Sequence, residues 1–185
     1  MMLNLDSEED GALYVGCAGG ADVKFYLDTN PIAVPADSTA VKLTVKGLRG
    51  GHSGLNIMEN RANALRLVAR LCKDVQKSDV ALQLAEFDGG SAHNAIPREA
   101  TATLVVPTAQ KDAVMARITA RFEATKAEYI KRETEMNLRT ETAPASGNMW
   151  SPETAANLID LVLTLPNGVL TMSQDLPDLV ESRSN

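Results

Sequence analysis

The apolar residues between positions 40 and 137 repeat with two different periods. Val41, Leu43 and Val45 alternate with Lys and Thr residues, the period of two that is typical of a strand with one buried face. In other stretches the apolar residues are spaced by three and four, as they are on one face of an amphipathic helix. The pattern predicts the order strand, helix, strand, strand, helix, with elements at residues 41–46, 61–73, 80–87, 100–106 and 110–137.

This order of elements is most of a ferredoxin-like split β-α-β unit, which needs one more strand to complete its sheet. Residues 138–150 are polar and are predicted to form a linker, and the apolar stretches 169–172 and 179–180 are too short to predict the missing strand. A third helix is predicted after Ser151, because Ser is a favoured N-cap and Pro152 suits the first helical position. We therefore expect an α+β fold whose ferredoxin-like domain is incomplete.

Composition and charge narrow the classes of partner. The 185 residues carry a net charge of −6, whereas binding to nucleic acid typically needs a basic face, so no nucleic acid partner is expected. No apolar run approaches the roughly 18 residues that cross a bilayer, so no membrane partner is expected either. Cys17 and Cys72 are the only cysteines. Because they are too few for a disulfide framework and no signal peptide is recognised, we expect a cytoplasmic location.

Two glycine-rich turns contain both histidines of the chain. Residues 48–54 read Leu-Arg-Gly-Gly-His-Ser-Gly, and residues 89–97 read Gly-Gly-Ser-Ala-His-Asn-Ala-Ile-Pro. Glycines allow backbone conformations that a Cβ forbids and let another molecule approach closely. His52 is therefore expected to be exposed, where an imidazole is suited to donate a hydrogen bond to an oxyanion or to a carboxylate. A structural role for His52 is the alternative.

Two further polar residues, Asn94 and Asp6, each allow two interpretations. Asn94 either forms an Asx-type turn or, held rigid by Pro97, presents its amide to a ligand. Asp6 closes the apolar run 1–5, a position where α/β enzymes often place a catalytic or metal-binding carboxylate. The alternative for Asp6 is a solvated acidic turn, since one carboxylate does not make a zinc site. His93 is expected to be solvated.

Four segments, taken together and in order, resemble a known enzyme family. They begin with Asn-Leu-Asp-Ser-Glu-Glu-Asp-Gly and end with Asn-Ala-Ile-Pro-Arg-Glu-Ala, and they lie at residues 4–11, 15–20, 46–54 and 94–100. The family is the aminoacyl-histidine dipeptidases, which are carnosine-type Xaa-His dipeptidases. They belong to the two-zinc metallopeptidases related to carboxypeptidase G and succinyl-diaminopimelate desuccinylase. The resemblance runs through nearly the whole chain.

The resemblance implies a division of the chain into two parts. Residues 1–20 resemble a remnant of the zinc-binding catalytic domain. Residues 21–185 resemble the lid or dimerisation domain, which the family inserts into the catalytic domain and which is truncated here at its C-terminus. The upstream metal motif, the paired glutamates that supply the general base, and the C-terminal metal-binding histidine of the family are not in this sequence. The isolated chain is therefore expected to be inactive and to bind no zinc stably.

The resemblance also implies roles for three residues. Asp6 matches a zinc-ligand aspartate of an active site that holds two Zn²⁺ ions. His52 matches a lid histidine that reaches into the active site of the partner subunit and stabilises the tetrahedral oxyanion. Asn94 matches a lid asparagine that contacts the dipeptide substrate. The implied assembly is a homodimer formed through the sheet or helices of the lid.

Two other functions remain open on the sequence alone. A non-catalytic dimerisation or interaction module would act through an exposed strand edge or through its helices, since an unpaired edge recruits other strands. A small-molecule binding protein without catalytic activity would use the two glycine-rich turns as its pocket.

Overall fold

The computed structural model describes residues 10–14, 16, 19–78, 80 and 83–185. The apolar run at 1–5 and Asp6 lie outside the described residues. Within them are three α-helices and ten strands, several of only two residues. In chain order these elements are β1 (Ile32–Ala33), β2 (Ser38–Lys46), β3 (Gly51–His52), α1 (Ala64–Gln76), β4 (Gln83–Gly89), β5 (Ala95–Ile96), β6 (Ala100–Pro107), α2 (Lys111–Tyr129), β7 (Asn137–Pro144), β8 (Asn148–Met149), α3 (Pro152–Thr164), β9 (Gly168–Met172) and β10 (Val180–Ser184).

The largest sheet is antiparallel, with the strand order β4-β6-β2-β7. Val41 on the central strand β2 pairs with Leu104 of β6 on one side and with Thr142 of β7 on the other. With α1 and α2 this gives the chain order β-α-β-β-α-β, a ferredoxin-like unit with all four strands. The predicted α+β, ferredoxin-like class is confirmed, but the predictions of an incomplete sheet and of a linker at 138–150 are wrong, because residues 137–144 form the fourth strand.

The sequence hid β7 because β7 is an edge strand with little apolar character. Its residues read Asn-Leu-Arg-Thr-Glu-Thr-Ala-Pro, and in the described structure only Leu138 and Thr140 are partly covered. An edge strand pairs on one side alone and needs few buried side chains, so its alternation is weak. The backbone hydrogen bonds to β2, rather than the packing of its side chains, define β7 as a strand.

The helices cover one face of the sheet and form the core with it. Val41 and Leu43 of β2 are fully buried, whereas Lys42 between them, on the opposite face, is exposed. The alternation predicted for 41–46 is thereby confirmed. The fully buried core side chains include Val41, Leu43, Leu84, Leu104, Val68, Val75, Ile118 and Ile159.

Local signals account for the beginnings of two helices. Asn63 caps α1 by accepting a hydrogen bond from the Arg66 amide at 3.3 Å, and Ser151 caps α3 by accepting one from the Thr154 amide at 3.2 Å, as its sequence predicts. Helix α2 ends at Tyr129 rather than at 137. The amides of Arg132 and Glu133 both donate to the Tyr129 carbonyl and close the helix with a turn.

The last part of the chain forms a hairpin that the sequence did not predict. Strands β9 and β10 pair antiparallel as a separate two-stranded sheet. The prediction that the stretches 169–172 and 179–180 are too short for strands is wrong, because the second strand extends to Ser184 through polar residues. Among the helices of the described part, none is long and apolar enough to cross a membrane.

Candidate functional site

The two glycine-rich turns, which are more than 30 residues apart in the sequence, lie side by side. Strands β3 and β5 join them, with His52 opposite Ala95 in the register. The Ser53 amide donates to the Asn94 carbonyl at 2.9 Å and extends the contact by one residue. The structure therefore brings His52 and Asn94 to neighbouring positions on one surface.

The His52 side chain is exposed and its ring is oriented by its own turn. The backbone amides of Gly54 and Leu55 donate to His52 Nδ1, at 3.2 and 3.3 Å. A ring nitrogen that accepts hydrogen bonds carries no proton, so in the neutral ring the proton lies on Nε2. A Cβ at Gly54 would lie only 3.0 Å from His52 Cε1, so a larger residue here would require the ring to shift.

A polar network holds the backbone of the His52 turn. The His52 amide donates to Asn56 Oδ1 at 2.9 Å, and Asn56 Nδ2 donates to Glu59 at 2.7 Å. Arg61 donates from Nε and Nη2 to the same carboxylate at 2.9 and 2.8 Å, and from Nη1 to the Gly50 carbonyl. The Arg61 hydrogen bond, and after it the Asn56 hydrogen bond, hold the pKa of Glu59 below its usual value.

Glu133, in the turn after helix α2, bridges the two ends of the loop that carries His52. Its side chain is buried, with 1% of the residue exposed. Oε2 accepts from the Arg49 amide at 2.7 Å, and Oε1 accepts from the Ala62 amide at 2.8 Å. Glu133 was not predicted as a site residue, because it falls within the range predicted as helix α2. The one sequence feature that marks Glu133 is its acidic side chain, at a position within the predicted amphipathic helix.

The C-terminal hairpin brings a cation to the turn. Arg183 of β10 is close enough to Gly54 that a Cβ there would lie 3.1 Å from Arg183 Nη2. Next to it, Asn185 Nδ2 donates to the Ala95 carbonyl at 3.2 Å. Arg183 was not predicted either, because no local sequence pattern indicates a contact between residues more than 120 positions apart.

Asn94 and His93 lie on the exposed turn before β5. The Asn94 side chain makes no hydrogen bond within the described part of the chain, and the backbone carbonyl of Asn94 supports the His52 turn. Asp6 is outside the described residues. Among the residues that the structure describes, no group of three or more His, Cys, Asp or Glu side chains could hold a metal ion.

Comparison with known proteins agrees with the fold and the motifs. Residues 38–130 match the family described as the peptidase dimerisation domain. The chain is 35% identical, over all of its 185 residues, to the cytosol non-specific dipeptidase of Escherichia coli (strain K12), and it covers 38% of that protein. It also matches the crystal structure of aminoacylhistidine dipeptidase from Vibrio alginolyticus with a TM-score of 0.75 and 36% identity. That match covers 80% of this chain and 30% of the other.

These relatives confirm the resemblance that the four sequence segments indicated. The chain spans less than two fifths of the length of either relative. The matched residues 38–130 include three strands of the four-stranded sheet (β2, β4 and β6), the helices α1 and α2, and the turn that carries His52, whereas β7 lies just beyond them. The chain belongs to the peptidase dimerisation domain family.

Proposed function

We propose that this chain acts as the lid and dimerisation domain of a metal-dependent dipeptidase that cleaves Xaa-His dipeptides, and that His52 stabilises the oxyanion of the reaction. In this proposal residues 21–185 form the lid and residues 1–20 belong to a catalytic domain. The membership of the family and the names of the two relatives, a dipeptidase and an aminoacylhistidine dipeptidase, support it.

The main observation in support of the proposal is the orientation of the His52 ring. Because Nδ1 accepts from two backbone amides, Nε2–H is the donor that the exposed edge of the ring offers to another molecule. A donor held in place before the reaction costs no reorganisation when negative charge develops on a carbonyl oxygen. Arg183 beside the turn adds positive charge close to the His52 ring, which would favour an oxyanion there.

Asn94 is proposed to contact the dipeptide. Its amide has two donor hydrogens and an acceptor oxygen, and no partner within the described residues occupies them. Since the Asn94 carbonyl is bonded to the Ser53 amide, the substrate contact and the oxyanion donor would move as one unit.

The metal ions are proposed to lie outside the described residues, because those residues contain no cluster that fits one. When bound, two Zn²⁺ ions would polarise the scissile carbonyl and supply hydroxide. Asp6 is proposed as one of their ligands. The part of this chain in the reaction is to orient the substrate and to donate a hydrogen bond.

The partner is proposed to be a second copy of the chain, bound through the sheet and helices of the lid. The proposed location is the cytoplasm. Strand β7 is paired to β2 on one side, and most of its side chains are exposed. Such an edge can pair with the same edge of a second subunit. This observation also favours the second candidate function, a dimerisation module without catalytic activity.

The experiment that separates the two functions is steady-state kinetics of the complete enzyme with an Xaa-His dipeptide. His52→Ala should lower kcat by about 10²- to 10³-fold, the usual effect of losing an oxyanion donor. His93→Ala, the matched control on the neighbouring turn, should leave kcat unchanged. An unchanged kcat for His52→Ala would contradict the oxyanion role and favour the dimerisation module.

A further inference from the structure

The loop that carries His52 is closed at its base by one buried carboxylate. Glu133 accepts the Arg49 amide on one oxygen and the Ala62 amide on the other, at 2.7 and 2.8 Å. These two amides flank the twelve residues 50–61, which include His52 and the network that holds it. Glu133 itself follows helix α2 and is more than 70 residues away in the sequence.

A second connection lies one residue inside the first. Arg61, next to Ala62, donates to the carbonyl of Gly50, next to Arg49. The two ends of the loop are thus tied twice, first by Glu133 and then by Arg61. Within the loop that they close, the Gly54 and Leu55 amides donate to Nδ1 of the His52 ring.

Packing alone does not explain an acidic residue at this position. Burying a carboxylate costs several kcal/mol unless hydrogen bonds offset the loss of water. Here each carboxylate oxygen accepts one backbone amide, and such charge-assisted bonds are short and directional. An apolar side chain would fill the space at lower cost, but it would leave the buried Ala62 amide and the part-buried Arg49 amide without this partner.

We propose that Glu133 is a positioning residue for His52: it sets the geometry of the loop so that Nε2 faces the reacting oxygen. This inference rests on the proposed role of His52. Glu133 lies just beyond residues 38–130, the range that matches the family.

Glu133→Gln is the direct variant, because it keeps the shape but turns one acceptor oxygen into an NH₂ donor facing a backbone N–H. In the complete enzyme it should lower kcat by about 10- to 100-fold, the loss that displacement of a reacting group by about 1 Å can cause. KM should change little. Glu135→Gln, an exposed glutamate two residues away in the same turn, is the matched control and should keep kcat at the starting value.

A double-mutant cycle distinguishes positioning from a general structural effect. If Glu133 acts through His52, Glu133→Gln should add little to the loss already caused by His52→Ala. Losses that multiply would overturn the inference. A normal kcat for His52→Ala alone would instead overturn the proposed function.

Amide NMR of the 185-residue chain tests the loop geometry without reference to activity. In the unsubstituted chain the Arg49 and Ala62 amides should exchange slowly with solvent, and in Glu133→Gln the resonances of residues 50–55 should shift. Fast exchange of both amides in the unsubstituted chain overturns the inference even if the variant does not fold. Unchanged resonances in a folded variant would do so as well.

Discussion

At the scale of single residues, Cys72 shows how burial determines the chemistry of a side chain. It lies on helix α1, fully buried in the core. Burial raises the pKa of the Cys72 thiol from 9.0 to about 12, because the thiolate would lose its hydration. Cys72 is therefore a packing residue, and a thiolate nucleophile is not available from it at neutral pH.

This pKa predicts a decrease in stability at alkaline pH. Above about pH 9 the unfolded chain releases the thiol proton while the folded chain keeps it. The free energy of unfolding therefore falls as the pH rises, by up to about 1.4 kcal/mol per pH unit for this group. Urea unfolding should be measured in a Cys17→Ala background with and without Cys72→Ala. The stability difference between the two proteins should shrink by about 1 kcal/mol from pH 9 to pH 10.

Parallel pH curves for the two proteins would contradict this assignment. The comparison is needed because lysine and tyrosine side chains also titrate in this range. Their contribution is common to both proteins and cancels in the difference.

The sequence predicted the candidate site in part. The exposure of His52 follows from the glycines around it, and this expectation is confirmed. The proton position on its ring depends on two backbone amides, and their direction is determined only when the turn folds. Glu133 and Arg183 were missed because their contacts with the turn are long-range and leave no local pattern.

At the scale of elements, the junction after β2 depends on a close backbone contact. Gly47 has φ +79°, and a Cβ there would lie 2.1 Å from the Glu135 carbonyl oxygen in the turn between α2 and β7. Gly147 has the same φ of +79°, but a Cβ there would meet nothing within 4 Å. The two glycines therefore share one backbone conformation and differ in the space around them.

Alanine at these two positions separates backbone strain from steric clash. Gly147→Ala should lower the free energy of unfolding by about 1–2 kcal/mol, the cost of a left-handed conformation with a Cβ. Gly47→Ala should cost clearly more, because the turn that carries Glu133 must move away. Urea denaturation of both variants measures the difference. Equal losses in the free energy of unfolding for the two variants would show that the turn after α2 moves away from the new Cβ at little cost.

Helices and strands were predictable where packing repeats along the sequence. Strand β2 and helix α1 bury one face each, and both were located within about three residues. Strands β7, β9 and β10 were missed, since none of their side chains is fully buried and backbone pairing defines them. The predicted end of α2 was too late because Glu133 turns inward instead of continuing the helix.

At the scale of the whole molecule, the account requires the chain to associate with itself. If the edge of β7 forms part of the contact, a lysine there should oppose pairing, since charged edge strands resist it. Thr142→Lys on β7 should raise the dimer dissociation constant by about tenfold or more, which is about 1.4 kcal/mol. Ser146→Lys, which makes the same charge change in the loop after β7, is the control.

Sedimentation equilibrium of the three proteins measures this effect. The unsubstituted chain and the Ser146→Lys variant should show the same association. A Thr142→Lys variant that associates as tightly as the control would remove β7 from the interface. A strictly monomeric unsubstituted chain at high concentration would count against the dimerisation role itself.

The whole account depends on which nitrogen of the His52 ring carries the proton. Long-range ¹H–¹⁵N NMR of the 185-residue chain, at a pH where the ring is neutral, observes this directly, with the exposed His93 as the internal reference. We predict that Nε2 carries the proton and that Nδ1 is an unprotonated acceptor of the Gly54 and Leu55 amides. A proton on Nδ1 of His52 would contradict the account, because the outward edge of the ring would then have no donor to offer an oxyanion.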